Sequence, residues 1–157
     1  RLANRDRALM VGLRGRGQGM YGNILVTLDC TPTDRAIIRH VKRLGRRMRS
    51  RFVLMHVADG WAARAFGANA VSAEIRRDTA YLSRVRAEFR SAGLRAETIL
   101  AYGDPADEIV KWVKGHRCDL VAMSTHGHEF IADLVLGSTA NQVRHRISVP
   151  LLLLLGR

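Results

Sequence analysis

Residues 23–34 read NILVTLDCTPTD, a short apolar run that ends at an aspartate and continues into residues typical of a helix start. The run NILVTL (23–28) predicts a buried strand, because short apolar segments bounded by turn residues are typical of strands. Thr31 is the predicted helix cap, Pro32 suits the first helical position, and Asp34 falls in the positively polarised first turn. The stretch therefore predicts a strand that passes directly into a helix.

The same order of strand and helix continues to the end of the chain. Four more segments predict strands, namely FVLMHV (52–57), AETILA (96–101), DLVAMS (119–124) and VPLLLLL (149–155), and strands 1, 2, 4 and 5 are continuously apolar. Strands that are apolar throughout are expected when helices cover both faces of a parallel sheet. The sequence therefore predicts an α/β fold, a three-layer, doubly wound sheet of five parallel strands with the order 3-2-1-4-5.

Four helices are predicted between these strands from apolar residues at helical spacing. The buried faces of the first two consist of Ile37, Val41, Leu44 and Met48, and of Val71, Ile75, Leu82, Val85 and Phe89. The third helix is predicted to be capped by Asp104, to start at Pro105 and to stop at Gly115. The fourth is expected from about Ser138 to His145.

A ligand site is expected where the winding direction of such a sheet reverses, at the carboxyl ends of strands 1 and 4. Asp29 ends the first strand, and STHGHEFIADLVLGST (124–139) follows the fourth. Gly127 permits a tight turn or a close approach to a ligand, and GST at 137–139 opens a helix whose free N–H groups favour an anion. Alternatively, the glycines only turn the chain and Ser138 caps its own helix. The residues alone leave both interpretations open.

Length and composition indicate the class of protein. At 157 residues and 47% hydrophobic content, the chain is long enough for one domain with a buried core. Residues 1–19 are expected to form a basic, disordered leader, and residues 20–157 the α/β domain. No run approaches the roughly 20 apolar residues of a membrane helix, so no membrane partner is expected. Cys30 and Cys118 lack metal-ligand spacing and are expected to be buried or half-buried thiols in a reducing cytoplasm.

The formal net charge of +12 raises the question of a nucleic-acid partner. Basic residues recur at helical spacing on the first predicted helix: Arg35, Arg39, Lys42, Arg43, Arg46 and Arg47. Such a stripe can bind phosphate backbones without sequence preference. The alternative, an ordinary solvated helix face, is favoured.

The sequence resembles the universal stress protein family over nearly all of residues 20–157. The resemblance is carried by NILVTLDCTPTD, FVLMHV, GDPADEIV, DLVAMSTHG and LGSTANQVRHRISVPLLLL. Nucleotide-binding members have the motif G-x2-G-x9-G-S/T, of which Gly127, Gly137 and Ser138 match the later positions. Ser124 stands where the first glycine is expected. If that position needs a positive φ, a serine costs about 1 kcal/mol or more; otherwise its hydroxyl could donate to phosphate.

The resemblance implies a cytoplasmic stress-response protein that binds ATP or a related adenine nucleotide, with or without Mg²⁺. It places Asp29 at the adenosine, Thr27 beside the adenine and the backbone of Val57 at the adenine edge. The remaining implied positions lead to the phosphates or bind them: Met123, Ser124, His126, Gly127, Gly137, Ser138 and Thr139. The family also implies a homodimer through the last strand, Val149–Leu155, and an unidentified protein partner.

Metal and catalytic alternatives have less support in the sequence. His126, His128 and Glu129 invite a metal or general-base interpretation, but they lie in a loop without further ligands. Asp29, Asp34 and Asp59 could hold Mg²⁺ through water. These alternatives are not favoured, and no tightly bound metal and no catalytic residue is predicted, so any ATP hydrolysis should be slow.

Three other functions compete with this interpretation. A nucleotide-free dimeric scaffold and a basic nucleic-acid-binding protein remain open alternatives. An ATP-dependent adenylating enzyme is disfavoured, because such enzymes place a glycine-rich phosphate loop after strand 1, where this chain has Pro32. The loop 58–70, with Trp61 and Phe66, has no assigned role.

Overall fold

The computed structural model describes residues 20–59, 73–126 and 137–156. Its strands are β1 (Asn23–Thr27), β2 (Arg51–Ala58), β3 (Arg95–Tyr102), β4 (Leu120–His126) and β5 (Leu151–Gly156). Its helices are α1 (Asp34–Met48), α2 (Ala73–Ser91), α3 (Pro105–Gly115) and α4 (Ser138–Arg144). Some predictions lie outside the described residues, namely those for 1–19, Trp61, Phe66, Val71, Gly127, His128 and Glu129.

The described strands form one parallel sheet in the order β3-β2-β1-β4-β5. β1 is central, and its two neighbours are β2 and β4. The predicted fold class and strand order are therefore confirmed. The reversal of winding falls between β1 and β4, so the carboxyl ends of these strands leave a crevice.

Alternate residues of the central strands enter two separate core layers, as the period of two in a strand requires. Ile24, Val26 and Leu54 point to the face covered by α1 and α2. Leu25 and Met55 point to the opposite face, covered by α3 and α4. The central strands of the sheet are thus buried on both sides, which explains why they are largely apolar.

The start and the buried face of α1 differ from the prediction. The helix begins at Asp34, and the residue at its N-cap is Thr33, whose side chain makes no cap hydrogen bond. The predicted cap Thr31 is wrong, because its carbonyl accepts a turn-type bond from the Asp34 N–H and its hydroxyl lies 2.6 Å from that of Thr33.

In the last turns of α1 the buried residue is Gly45, whereas the predicted Leu44 and Met48 are only partly buried. The buried apolar residues earlier in the helix are Ile37, Ile38 and Val41. The ring of Phe52 occupies the space that a side chain on Gly45 would need. The close approach of helix and strand at this point therefore depends on the missing Cβ.

The other elements follow the predictions closely. Asp104 caps α3 by accepting a 3.0 Å hydrogen bond from the Asp107 N–H, and Pro105 starts the helix. The strand β4 continues to His126, two residues beyond the predicted end. Among the described residues, no helix is long and apolar enough to cross a membrane.

Candidate functional site

A cavity of about 420 Å³ opens at the carboxyl ends of β1, β2 and β4. Most of the site residues that the sequence predicted line it: Thr27, Asp29, Val57, Met123, Ser124, Gly137, Ser138 and Thr139. His126 is the last residue of β4, and Gly127 lies outside the described residues. Chain segments more than 100 residues apart in sequence are thus brought to one crevice, because β1 and β4 are neighbours in the sheet.

The cavity has an apolar interior and a polar mouth. Thr27, Val57 and Met123 are buried, with at most 9% exposure. Asp29 and Ser138, by contrast, are exposed. An apolar slot with polar groups at one end suits a ligand that has a flat ring system and a charged tail.

A buried carboxylate that the sequence suggested only as a Mg²⁺ ligand ties the two walls of the crevice together. Asp34 is fully buried, and its Oδ1 accepts hydrogen bonds from the Asp29 N–H at 3.1 Å and the Ser124 hydroxyl at 3.3 Å. Its Oδ2 accepts one from the Tyr81 hydroxyl at 2.9 Å. A buried charge requires such partners. Asp34 therefore fixes the end of β1 relative to β4.

Ser124, at the position of the first motif glycine, has no backbone strain. It lies within β4 opposite Leu154, and the non-glycine residues with positive φ in the described chain are Cys30 and Arg49. Its hydroxyl donates to Asp34. The expectation that this hydroxyl could donate to a phosphate stays a prediction.

The start of α4 differs from the simple capping interpretation. The N-cap residue is Gly137, and no side-chain cap bond is made there, so Ser138 does not cap its own helix. Ser138 and Thr139 are the first residues of the helix and line the cavity. The free N–H groups of the first helical turn favour negative charge.

The Mg²⁺ alternative built on Asp29, Asp34 and Asp59 is not supported. Asp34 already accepts three hydrogen bonds from protein donors. The described residues hold a different group of potential metal ligands, namely Cys30, His56 and Asp78. His56 makes an internal hydrogen bond, with Nδ1 2.7 Å from the carbonyl oxygen of Leu28.

Cys30 follows the cavity residue Asp29 and has an unusual environment. Its φ of 60° is left-handed, which costs a non-glycine residue about 1–2 kcal/mol. Burial raises the pKa of its thiol to about 12, and the nearby charges of Asp78, Asp34 and Asp29 act in the same direction. The free thiol is therefore protonated at neutral pH and is a poor nucleophile.

The predicted basic stripe forms the rim of a shallow groove on α1. Arg39, Lys42, Arg43 and Arg46 line it. Arg35, at one end, donates two hydrogen bonds of 3.0 and 2.9 Å to the carboxylate of Glu88 on α2. Part of the stripe is thus neutralised by an ion pair within the protein.

The fold and the crevice define a doubly wound α/β protein with a ligand-sized cavity at the switch between β1 and β4. The model of the universal stress protein family matches residues 20–154. The chain belongs to the universal stress protein family.

Similar proteins are found by sequence and by structure. The universal stress protein MJ0577 of Methanocaldococcus jannaschii is 23% identical over 152 residues, which cover 85% of this chain and 94% of that protein. The universal stress protein Slr1230 of Synechocystis is 39% identical over 61 residues, which cover 39% of this chain and only 21% of that protein.

Solved structures of the family share the fold. A structure of MJ0577 has a TM-score of 0.74 at 23% identity and covers 88% of this chain and 98% of its own. A universal stress protein in complex with cAMP has a TM-score of 0.66 at 17% identity, and the match covers 87% of this chain and 98% of that protein. The universal stress protein of Archaeoglobus fulgidus in complex with dAMP has a TM-score of 0.63 at 19% identity, and the match covers 85% of this chain and 98% of that protein.

Proposed function

We propose that this protein binds ATP, or a related adenine nucleotide, in the cavity between β1 and β4. The observation that carries the proposal is the cavity itself, in which an apolar slot from Thr27, Val57 and Met123 meets a polar mouth at Asp29 and Ser138. Its volume of about 420 Å³ falls within the range of small-molecule sites. The cAMP and dAMP complexes of proteins with this fold support an adenine nucleotide as the ligand class.

The orientation of the nucleotide follows from the chemistry of the two ends. The adenine lies in the apolar slot, and the backbone at the end of β2 recognises its edge. The exposed carboxylate of Asp29 accepts hydrogen bonds from the ribose. The phosphates lie at Gly137–Thr139, where the chain can approach closely and hydroxyl groups are available. Mg²⁺ accompanies the triphosphate.

The biological output is proposed to be a conformational or partner-directed switch in a cytoplasmic dimer, with hydrolysis slow at most. The apolar strand β5 supports a dimer. In the described chain it pairs with β4 on one side, and Leu155 is 51% exposed. An edge strand of this kind is a template for pairing with a second copy.

The nucleotide proposal is tested by titrating ATP and Mg²⁺ into the full chain and measuring the heat of binding. Gly137→Val is expected to weaken binding by at least about tenfold, which corresponds to roughly 1.4 kcal/mol, because a side chain there blocks the approach of the phosphates. Gly115→Val is the matched control. A Cβ at either glycine meets no heavy atom within 4 Å, so neither change should disturb the core.

Asp29→Ala is expected to weaken binding through loss of the ribose contacts. Glu97→Ala removes the same charge from an exposed position on β3 and should leave the affinity unchanged. If wild-type protein gives no heat with ATP, and native mass spectra of freshly purified protein show no bound nucleotide, the proposal is wrong.

A nucleic-acid-binding function is the second candidate, favoured by the basic groove on α1. It predicts that the chain without residues 1–19 is retained on DNA or RNA in a salt-dependent manner. Combined replacement of Arg39, Arg43 and Arg46 by glutamine should abolish that retention while leaving ATP binding intact.

A further inference from the structure

Three side chains that commonly bind metals converge between the sheet and α2. The Sγ of Cys30, a ring nitrogen of His56 and a carboxylate oxygen of Asp78 all lie within 4.8 Å of one another. His56 alternates along β2 with Met55 and Val57, which pack into the core layer of α3 and α4. Its side chain therefore points to the face of the sheet covered by α1 and α2, and the residue also contributes to the lining of the nucleotide cavity.

The hydrogen bond of His56 leaves its second ring nitrogen available to a metal. Nδ1 lies 2.7 Å from the carbonyl oxygen of Leu28, which can only accept, so Nδ1 carries the proton. Metal-binding histidines are usually oriented in this way by a carbonyl or a carboxylate on the other nitrogen. In the neutral ring, Nε2 then presents its lone pair.

The spacing of the facing atoms is that of two ligands of one tetrahedral ion. His56 Nε2 lies 3.5 Å from Asp78 Oδ2. Two ligand atoms about 2.1 Å from zinc at the tetrahedral angle lie roughly 3.4 Å apart. Within the described part of the chain, Asp78 Oδ2 is buried and has no hydrogen-bond partner, and the residue is only 9% exposed. A buried carboxylate oxygen without a donor requires a cation or a proton.

Cys30 adds the third ligand type. Its positive φ places the residue in a conformation that non-glycine residues rarely adopt. Such a conformation is retained where the surroundings or a function require it. Its Sγ completes the cluster with the ring nitrogen of His56 and the carboxylate oxygen of Asp78.

We propose that Cys30, His56 and Asp78 bind a divalent transition-metal ion of the zinc class, with a water molecule as the fourth ligand. Sulfur, imidazole and carboxylate ligands in a tetrahedral arrangement suit Zn²⁺ and its spectroscopic substitute Co²⁺. On binding, the thiol of Cys30 loses its proton to solvent and the thiolate forms the bond to the metal. The three proposed metal ligands are not among the residues proposed to bind the nucleotide.

The competing explanation is a proton in place of the metal. A protonated His56 would form an ion pair with Asp78 at the observed distance of 3.5 Å. In that case Cys30 would have no role, and the protein would not bind a metal through a thiolate at this position. The two explanations therefore differ in a measurable way.

The test is titration of Co²⁺ into the full chain after treatment with a chelator, followed by absorption spectroscopy. We expect one Co²⁺ per chain, a thiolate-to-cobalt charge-transfer band in the near ultraviolet, visible bands typical of tetrahedral cobalt, and loss of both on addition of Zn²⁺. Cobalt that binds only to surface histidines gives no charge-transfer band, and that result in the wild-type protein would overturn the proposal.

Single-residue variants identify the thiol that gives rise to the charge-transfer band. Cys30→Ser should abolish it, whereas Cys118→Ser is the matched control, because Cys118 is also half-buried and free. Asp78→Asn should lower cobalt affinity by more than the roughly 10–100-fold typical of losing an outer-shell partner. Circular dichroism verifies that each variant is folded. A band that persists in Cys30→Ser or disappears in Cys118→Ser would assign the metal to another thiol and refute the site.

Discussion

Replacing Asp34 with alanine removes the acceptor of three hydrogen bonds from a fully buried carboxylate. A hydrogen bond to a charged group contributes about 1.5–3 kcal/mol to the free energy of unfolding, so the bonds together amount to roughly 4–9 kcal/mol. Two effects reduce this figure. The cost of burying the charge disappears with the carboxylate, and water can solvate the half-buried hydroxyls of Ser124 and Tyr81. We expect a net loss of about 2–4 kcal/mol.

Two milder changes at the same contact give graded losses. Asp34→Asn keeps Oδ1 for its donors and places an amide opposite the Tyr81 hydroxyl, which can then accept. The expected loss is about 1–2 kcal/mol. Tyr81→Phe removes one hydrogen bond and keeps the ring, with an expected loss of about 0.5–1.5 kcal/mol.

The assay is urea unfolding followed by circular dichroism, for the wild type, Asp34→Ala, Tyr81→Phe and the double variant. The Tyr81 bond can be lost only once, so the two changes should be non-additive by about 0.5–1.5 kcal/mol. Additive losses, or a loss for Asp34→Ala no larger than for Tyr81→Phe, would refute the role of Asp34 as the link between β1 and β4.

Three further predictions concern the core, the thiol and the edge strand. Gly45→Ala should lower the free energy of unfolding in urea by about 1–3 kcal/mol, because its Cβ would overlap the ring of Phe52, whereas Gly115→Ala should not be destabilising. The pKa of Cys30 is raised from 9.0 to about 12 in the folded protein. In chelator-treated protein the contribution of this thiol to stability is therefore complete below pH 9 and is lost as pH rises toward 12. Urea unfolding across this pH range should show the wild type losing more stability than Cys30→Ser. Leu155→Lys should shift the mass measured by light scattering from dimer to monomer, and an unchanged mass would exclude β5 as the interface.

Much of the fold could be predicted from the sequence because its determinants are local. The apolar runs of the strands, the spacing of Ile37 and Val41, and the pair Asp104 and Pro105 each depend on neighbours along the chain. Backbone sterics, capping and burial of one face act over a few residues, so the pattern predicts the element. The alternation of strand and helix then left few sheet topologies, and the order 3-2-1-4-5 was among them.

The extent of the candidate site was also predicted in large part, because the ends of β1 and β4 must meet once the strand order is known. The contacts within the site could not be predicted. The local pattern places Asp34 in the first turn of a helix, whereas its bonds to Ser124 and Tyr81 span 90 and 47 residues. Nothing in the local pattern indicates which side chain a buried carboxylate will meet.

The sequence by itself determined the order of strands and helices and the edge of the sheet where the crevice opens. Only the tertiary structure decided that Cys30, His56 and Asp78 converge, and that Gly45 lies against Phe52. The reason is physical: a helix or strand forms from interactions between residues close in the chain. Contacts between elements depend on register, helix rotation and the distance between packed layers, which are set only when the whole core is assembled.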